Sequence, residues 1–438
     1  MSFIQDVVKE YRIAYNRIPA VWGVSGTPDN GNPMQPMRFI MAGLKRPEWE
    51  EADKLKGTEF EVLLELKEEN IQLKKKEFNR LCEDAKTSPA RAVADRKFGE
   101  LAAFFRTVIP TFQIRRGEST LWFNQQKLIP KNSYLKLVTL QADPNDTEAA
   151  IITAMEDRVR TEQRRRHKEL LAIWEEDGSD LNTKPEIPQL TQAESYTNAK
   201  TAASVAQVVQ YWDQQAPIVI ESDESDESDD ERPKTRSCTL KDPIIAKWTT
   251  NPLGKEFTDM LDRHFQQNAK FFEAKKICDC VHVKKRTDGS ACKIVIATRS
   301  PLTLACWFNR LCKEYGKDKV LRYAAGMSNI EKAEARQTFD TDDSKWILLC
   351  TFASIGLSIN LQRANYTIMV EPSHKLSEVK QLFARIDRRG QTEPVCYGTI
   401  IANQKSSIEQ RMLKSTEFTS LLQKSVYEEK AGSSSKVG

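Results

Sequence analysis

The stretch VKQLFARIDRRGQTEPVCYG, residues 379–398, places Gln381, Arg385 and Arg388 at positions i, i+4 and i+7 and then stops on Gly390-Gln391. On an α-helix those three positions share one face. Two guanidinium groups and a carboxamide projecting together do not suit an apolar core, because a buried unpaired charge is costly. They suit phosphate. Arginine stays charged at every relevant pH, and its fork matches phosphate oxygens two at a time. Offered to a transferring phosphoryl group, two such forks stabilise the charge spread over its oxygens. Arg385 and Arg388 are therefore the candidate catalytic pair, with Gln381 beside them as a nucleotide contact.

The elements that must hold this stripe read as an α/β fold. From about residue 241 a helical lead-in is followed by short apolar runs alternating with amphipathic segments. KIVIAT (293–298), KVLRYAAG (319–326), KWILLCT (345–351), NYTIMVE (365–371) and PVCYGTIIA (394–402) read as strands. The segments between and after them read as helices. The one at 301–316 stops at a glycine, and the one at 328–340 opens on a capping box of Ser328 and Glu331. SEVKQLFARIDRR (377–389) is a helix starting on a capping serine, and 405–425 is a final helix. Strand and helix in alternation predict a parallel sheet with helices on both faces. Loops after the strands meet at the carboxyl ends, where ligands usually bind. The loop after KIVIAT, the turn TFASIGLSINL (351–361) and the 377–389 helix are expected there.

Upstream, VWGVSGTPDN runs from a strand into a sharp loop, 50–85 and 145–175 are charged helices, and 97–119 opens as an apolar helix ending near Pro110, with Arg115-Arg116 just beyond it. KLIPKNSYLKLVTL (127–140) alternates like a strand. Residues 176–240 lack periodicity and read as a linker around ESDESDESDDE (221–231), which carries eight acids and no base. The chain's net charge is +4, so the rest of it carries +12, which suggests a polyanion partner. Lys74–Lys76 and Arg164–Arg166 read as exposed helix faces. No run approaches the ~18 apolar residues of a membrane span, and the N-terminal stretch lacks a signal-peptide pattern, so an intracellular protein is expected. Cys278, Cys280, His282 and Cys292 lie close in sequence but lack a C-x2-C clip, and they read as thiols rather than a metal site.

QLFARIDRRGQ resembles motif VI of the Swi/Snf-type chromatin-remodelling ATPases of helicase superfamily two, Q-A-x-x-R-x-x-R-x-G-Q. Gln381, Arg385, Arg388, Gly390 and Gln391 match, and Leu382 stands where the family usually has alanine. The ending G-Q separates it from D-E-A-D box RNA helicases. TFASIGLSINLQRAN is similar to motif V through Gly356, Asn360 and Leu361, with Ile355 and Ser358 in place of family glycines. VSGTPDN resembles motif III through Gly26, Thr27 and Pro28. FFRTVIPTFQIRRGES and LIPKNSYLKLV are similar to the family's segment ending in a double arginine and the stretch after it. The tryptophan usual before motif VI is missing.

The resemblance implies a RecA-like C-terminal helicase lobe over 241–425, a remnant of the first lobe over 1–45, helical insertion and linker over 46–175, an acidic linker over 176–240, and a tail over 426–438. It implies ATP with Mg²⁺ as cofactor, contacted by Gln381, Gly356, Asn360, Gly390 and Gln391. Thr27, Arg115, Arg116 and Thr351 would meet nucleic acid. The implied partners are double-stranded DNA or chromatin, with a histone-like basic partner for the acidic run, and the implied location is the nucleus. A phosphate loop, G-x-x-x-x-G-K-S/T, is absent from the 438 residues, as is a D-E-x-H after an apolar strand; PLGKEF (252–257) lacks the second glycine and the hydroxyl residue. In the family both precede motif III, which here begins near Ser25. The expectation is the C-terminal half of a DNA-dependent ATPase, without turnover by itself and with ATP held mainly by the first lobe. The alternative is a non-catalytic DNA- or chromatin-binding adaptor derived from such an enzyme.

Overall fold

The computed structural model describes residues 68–112, 134–176, 185–193, 195–215, 237–265, 267–355, 359–388 and 390–427. They belong to two compact units, one drawn from 131–372 and 381–410, the other from 1–130, 373–380 and 411–438.

The first unit is built on six strands: β1 (Tyr134–Ala142), β2 (Ile294–Thr298), β3 (Val320–Tyr323), β4 (Ile347–Thr351), β5 (Tyr366–Met369) and β6 (Val395–Asn403). Their order is β1-β6-β5-β2-β4-β3 and every pairing is parallel. Parallel neighbours need crossovers, and helices supply them. All five residues of β2 and of β4 are buried, which is why IVIAT and ILLCT are continuous apolar runs instead of alternating ones. This is the expected α/β class, a parallel sheet flanked by helices. Local signals fix the helix ends. Pro301–Tyr315 starts on Ser300, whose hydroxyl accepts from Thr303 N, and stops at Gly316, φ +95°. Asn329–Thr341 opens on the complete Ser328–Glu331 capping box.

Two regions differ from expectation. The sheet takes in β1, which the sequence places in the insertion before 241; β1 pairs with β6 from Tyr134–Val395 to Ala142–Asn403. Partners so far apart along the chain leave no local trace of their pairing. Within the expected 176–240 linker, Tyr196–Gln214 is a helix with Val205, Val208, Val209 and Trp212 fully buried. A helix covered on most sides has no amphipathic period to detect. It packs beside the long helix Asp146–Glu176, where Ser195 donates to Glu162 at 2.6 Å. Arg164, Arg165 and Arg166 are exposed on that long helix. The acidic run lies outside the described residues.

The second unit packs Glu68–Thr87, Pro89–Ala94 and Arg96–Phe112 with the later part of the last helix, Ser407–Tyr427. Its core joins Phe78, Leu81, Phe98, Leu101 and Phe105 to Phe418 and Leu422. Phe98 and Phe418 meet edge to face at 5.8 Å.

Candidate functional site

The arginine-bearing segment begins at the carboxyl end of β5. Helix α12 (Leu376–Phe383, the twelfth described helix) follows β5 in the chain. Ser377 sits inside this helix and not at its cap. Phe383 packs so closely over β6 that a Cβ on Gly398 would lie 2.7 Å from its ring. The helix stops at Phe383. Beyond it Arg385 N donates to Leu382 O at 3.0 Å and Ile386 N to Phe383 O at 3.3 Å, bonds three residues back. The Arg385 carbonyl is taken at 3.0 Å by Leu361 N, from the loop before β5. Gln381 therefore lies in the helix while Arg385 and Arg388 lie past it, and the expected helix over 377–389 with a single stripe does not form.

The end of the sheet differs as well. Past Phe383 the chain lies at the strands' amino ends. Cys396, second in β6, donates its thiol to Ile386 O at 3.8 Å, and Gln391 reaches Ala364, two residues before β5. Arg385 and Arg388 stand at the amino ends, not at the carboxyl ends expected of them.

A buried hub fixes this turn. Gln391 is 2% exposed and donates through Nε2 to Gln362 O, Ala364 O and Ile386 O at 3.0, 2.9 and 2.9 Å. Its Oε1 accepts from Glu393 N at 3.0 Å and Arg286 Nη2 at 3.2 Å. Its amide is committed internally, so Gln391 shapes the site and has no free donor for a ligand. Gly390 has φ +99°, and a Cβ there would lie 2.9 Å from Gln362 Nε2. Gln362 Oε1 in turn accepts from Asn360 Nδ2 at 2.9 Å. Asn360 and Gly390, taken from two separate motifs, thereby line one cavity of about 430 Å³ together with Arg286, Arg336, Asp340 and Arg363.

The electrostatics of this end are arginine-rich. Arg385 is 6% exposed, with Nη1 3.4 Å from Ile359 O; burial, and then the like charge of Arg388, pull its guanidinium below the ordinary value. Arg388 donates from Nε to Ala384 O at 3.1 Å, and among the described residues it has no ion-pair partner. Burial pushes the Asp340 carboxyl up, with Arg336 opposing. Asn360 Oδ1 is buried without a hydrogen-bond partner. A half-buried fork on Arg388 and an unmatched acceptor on Asn360 fit a ligand with anionic oxygens and hydroxyl or amine donors, as a nucleoside triphosphate has. Among the described residues no group of three or more acids, cysteines or histidines is gathered that could hold a metal ion. Cys278 and Cys292 are buried and Cys280 is exposed.

The remaining candidates lie elsewhere. Gln381 is exposed on α12. Thr351 closes β4 at the opposite, carboxyl end, bonded to Ser354 Oγ at 2.6 Å. Thr27, Arg115, Arg116 and Gly356 fall outside the described residues. Sequence reasoning missed Arg286, Arg336, Gln362 and Arg363. Only the Asp288-Gly289 turn pair marks the hairpin that carries Arg286, and it says nothing of where the arginine points.

Residues 273–390 match the helicase conserved C-terminal domain family, a span that runs from before β2 to Gly390. An uncharacterized ATP-dependent helicase from Schizosaccharomyces pombe is 32% identical over 95 residues, 22% of this chain and 9% of that protein. The DNA repair protein rad8 of the same yeast is 31% identical over 96 residues, 22% and 8% of the two chains. The chain thus spans under a tenth of either relative. Among solved structures, the C-terminal part of the Fun30 ATPase domain aligns over 68% of this chain and 98% of its own, at 16% identity and TM-score 0.39. The Sulfolobus solfataricus SWI2/SNF2 ATPase C-terminal domain aligns over 64% and 86%, at 11% identity and TM-score 0.35.

Proposed function

We propose that the chain carries a Snf2-like helicase C-terminal lobe and is the second-lobe half of a DNA-dependent ATPase that translocates along duplex DNA. Chromatin remodelling or DNA repair in the nucleus is the work this implies. The observation that carries the reading is Arg388, a guanidinium among the described residues without a carboxylate, beside the buried Arg385 and two residues before Gly390, which lines a cavity with Asn360.

In this reading ATP supplies the phosphoryl group whose hydrolysis drives movement. Arg388 and Arg385 would bind its oxygens and offset the charge that develops there. Asn360 would accept a hydrogen bond from the nucleoside part through Oδ1. Gly390 keeps the turn tight enough for Gln362 to hold Asn360 in place. The phosphate loop and the acids for Mg²⁺ would come from a first lobe, since the 438 residues contain no G-x-x-x-x-G-K-S/T. Thr351, Gln381, Gly356, Thr27, Arg115 and Arg116 remain proposed contacts, Thr351, Thr27, Arg115 and Arg116 toward DNA and Gln381 and Gly356 toward the nucleotide. The adaptor reading, in which the lobe is a scaffold and the acidic run takes a histone-like basic partner, is favoured by the missing phosphate loop alone.

The test is ATP turnover by the chain, with and without duplex DNA, together with titration of a fluorescent ATP analogue. No turnover is expected, with weak saturable binding that Arg388→Ala lowers about tenfold, the worth of one charge-assisted hydrogen bond. A DNA-stimulated rate would refute the half-site reading. DNA binding without any analogue binding would leave the adaptor.

A further inference from the structure

Residues 284–292 form a tight hairpin ahead of β2. Arg286 N donates to Ser290 O at 2.9 Å, Cys292 N to Lys284 O at 3.5 Å, and Gly289 makes the turn at φ +80°. Arg286 is 6% exposed, unusual burial for an arginine on a surface hairpin. Its guanidinium spans three acceptors from two parts of the chain: Nη1 donates to Arg363 O at 2.7 Å, and Nη2 to Thr392 Oγ1 at 2.6 Å and Gln391 Oε1 at 3.2 Å. Beside it Thr287 donates through N and Oγ1 to Glu393 Oε1 at 2.9 and 2.8 Å. The hairpin therefore grips residues 391, 392 and 393 in succession.

None of these acceptors belongs to a strand. They lie in the loops that deliver the candidate arginines. Gln391, held by Arg286, donates to Ile386 O and Gln362 O, and Ile386 follows Arg385 directly. One side chain thus links Arg286 to the backbone beside Arg385, and the same side chain links it to the loop carrying Asn360. Past Phe383 the segment has no helix of its own, so these bonds are what fix it. The fork matters, because a lysine ammonium is a point charge that cannot reach acceptors placed around a planar group in the same way.

We infer that Arg286 is a positioning residue that sets the arginine turn 384–391 for nucleotide through Gln391. The inference rests on the proposed nucleotide-facing role of Arg385 and Arg388. Arg286 lines the cavity, and it acts by holding Gln391, Thr392 and the Arg363 carbonyl together.

The experiment uses the full chain, with Arg286→Gln, Arg286→Lys, Thr392→Val and Arg388→Ala. Two quantities are read: amide hydrogen exchange across 384–393, and affinity for a fluorescent ATP analogue. Thr392→Val removes a single acceptor from an exposed threonine and guards against a failure of Arg286→Gln to fold. Expected are faster exchange in 384–393 for both Arg286 variants, a smaller increase for Thr392→Val, and an affinity loss for Arg286→Gln near that of Arg388→Ala. Arg286→Lys should recover little of that loss, although it restores the charge. Arg388→Ala should weaken binding with exchange unchanged. Unchanged exchange in the Arg286 and Thr392 variants would overturn the inference, as would faster exchange with full affinity while Arg388→Ala weakens binding. If the unmodified chain binds no analogue, the nucleotide reading falls. Exchange then decides by itself whether Arg286 holds the turn, faster supporting it and unchanged overturning it.

Discussion

At the carboxyl ends of the strands a set of buried charges is matched by protein groups, while at the amino ends some polar groups are unmatched among the described residues. Glu371, just past β5, accepts from Ser300 N at 2.9 Å, from Thr303 Oγ1 at 3.0 Å and from Arg299 N, and so occupies the start of the helix after β2. That is where many α/β sheets bind an anionic ligand. Lys270, fully buried, donates to Val370 O at 2.9 Å, to Ser204 Oγ at 3.2 Å and to Glu409. The other oxygen of Glu409 accepts from Asn403 N at 2.7 Å, and Glu156 accepts from Ser407 N and Ile408 N at 3.1 Å each. The protein's own carboxylates fill the ligand positions of this end. At the amino ends Asn360 Oδ1 has no partner and Arg388 no counter-ion among the described residues. The parallel layout thus does not by itself say which end of the sheet is free to take a ligand.

If that contrast is right, the largest effect comes from opening the closed end. Lys270→Ala leaves Glu409 buried without its cation, and breaking a buried pair in this way costs about 3–5 kcal/mol. Denaturant unfolding should show it as a lower midpoint at unchanged slope. Replacing both partners, Lys270→Met with Glu409→Leu, should be far milder, since no charge is then stranded. A single-variant cost below about 1 kcal/mol would mean that this network does not hold the carboxyl ends together.

The same network has a pH signature. Burial pushes the Glu409 carboxyl up to about 7, with Lys270 opposing. Its folded value lies above its unfolded one, so the fold favours the protonated form. That contribution is fully present below about pH 4.5 and is lost as pH rises through about 7. Unfolding free energy measured across that window should decline less steeply in Glu409→Gln than in the unmodified chain. Equal slopes would place the titration elsewhere. This pH effect is expected to be smaller than that of Lys270→Ala, because in the unmodified chain every bond partner of Glu409 stays in place as it titrates.

The contrast also marks what a sequence can reveal. β2 to β6 were legible because buried parallel strands are apolar runs bounded by turn residues, and Ser328, Glu331 and Gly316 mark helix ends through local chemistry. The order of the motifs pointed to a helicase C-terminal lobe, and residues 273–390 match the helicase conserved C-terminal domain family. The end of the sheet was not legible. Periodicity puts Gln381, Arg385 and Arg388 on one helical face, but the helix stops at Phe383 and the Arg385 carbonyl bonds Leu361, a partner more than twenty residues away. Arg286 sits in KKRTDGS like any solvated base, and only the folded chain brings Gln391, Thr392 and Arg363 around it. The strand at β1 was legible from its alternation but its place beside β6 was not, and the buried helix Tyr196–Gln214 was missed, since their partners are distant along the chain.

The smallest expected effect tests the open end. Arg336 lies on the cavity wall, 3.9 Å from Asp340, with both side chains well exposed. A loose pair of that kind contributes little once solvent screens it, so Arg336→Ala should change unfolding free energy by no more than about 0.5 kcal/mol. Its loss removes the charge that opposes burial at Asp340, whose carboxyl should then titrate higher still. The shift is readable by NMR of that carboxyl even where stability does not move. A cost comparable to that of Lys270→Ala would mean that the amino ends are as tightly matched as the carboxyl ends, and the cavity would then be a packed part of the fold.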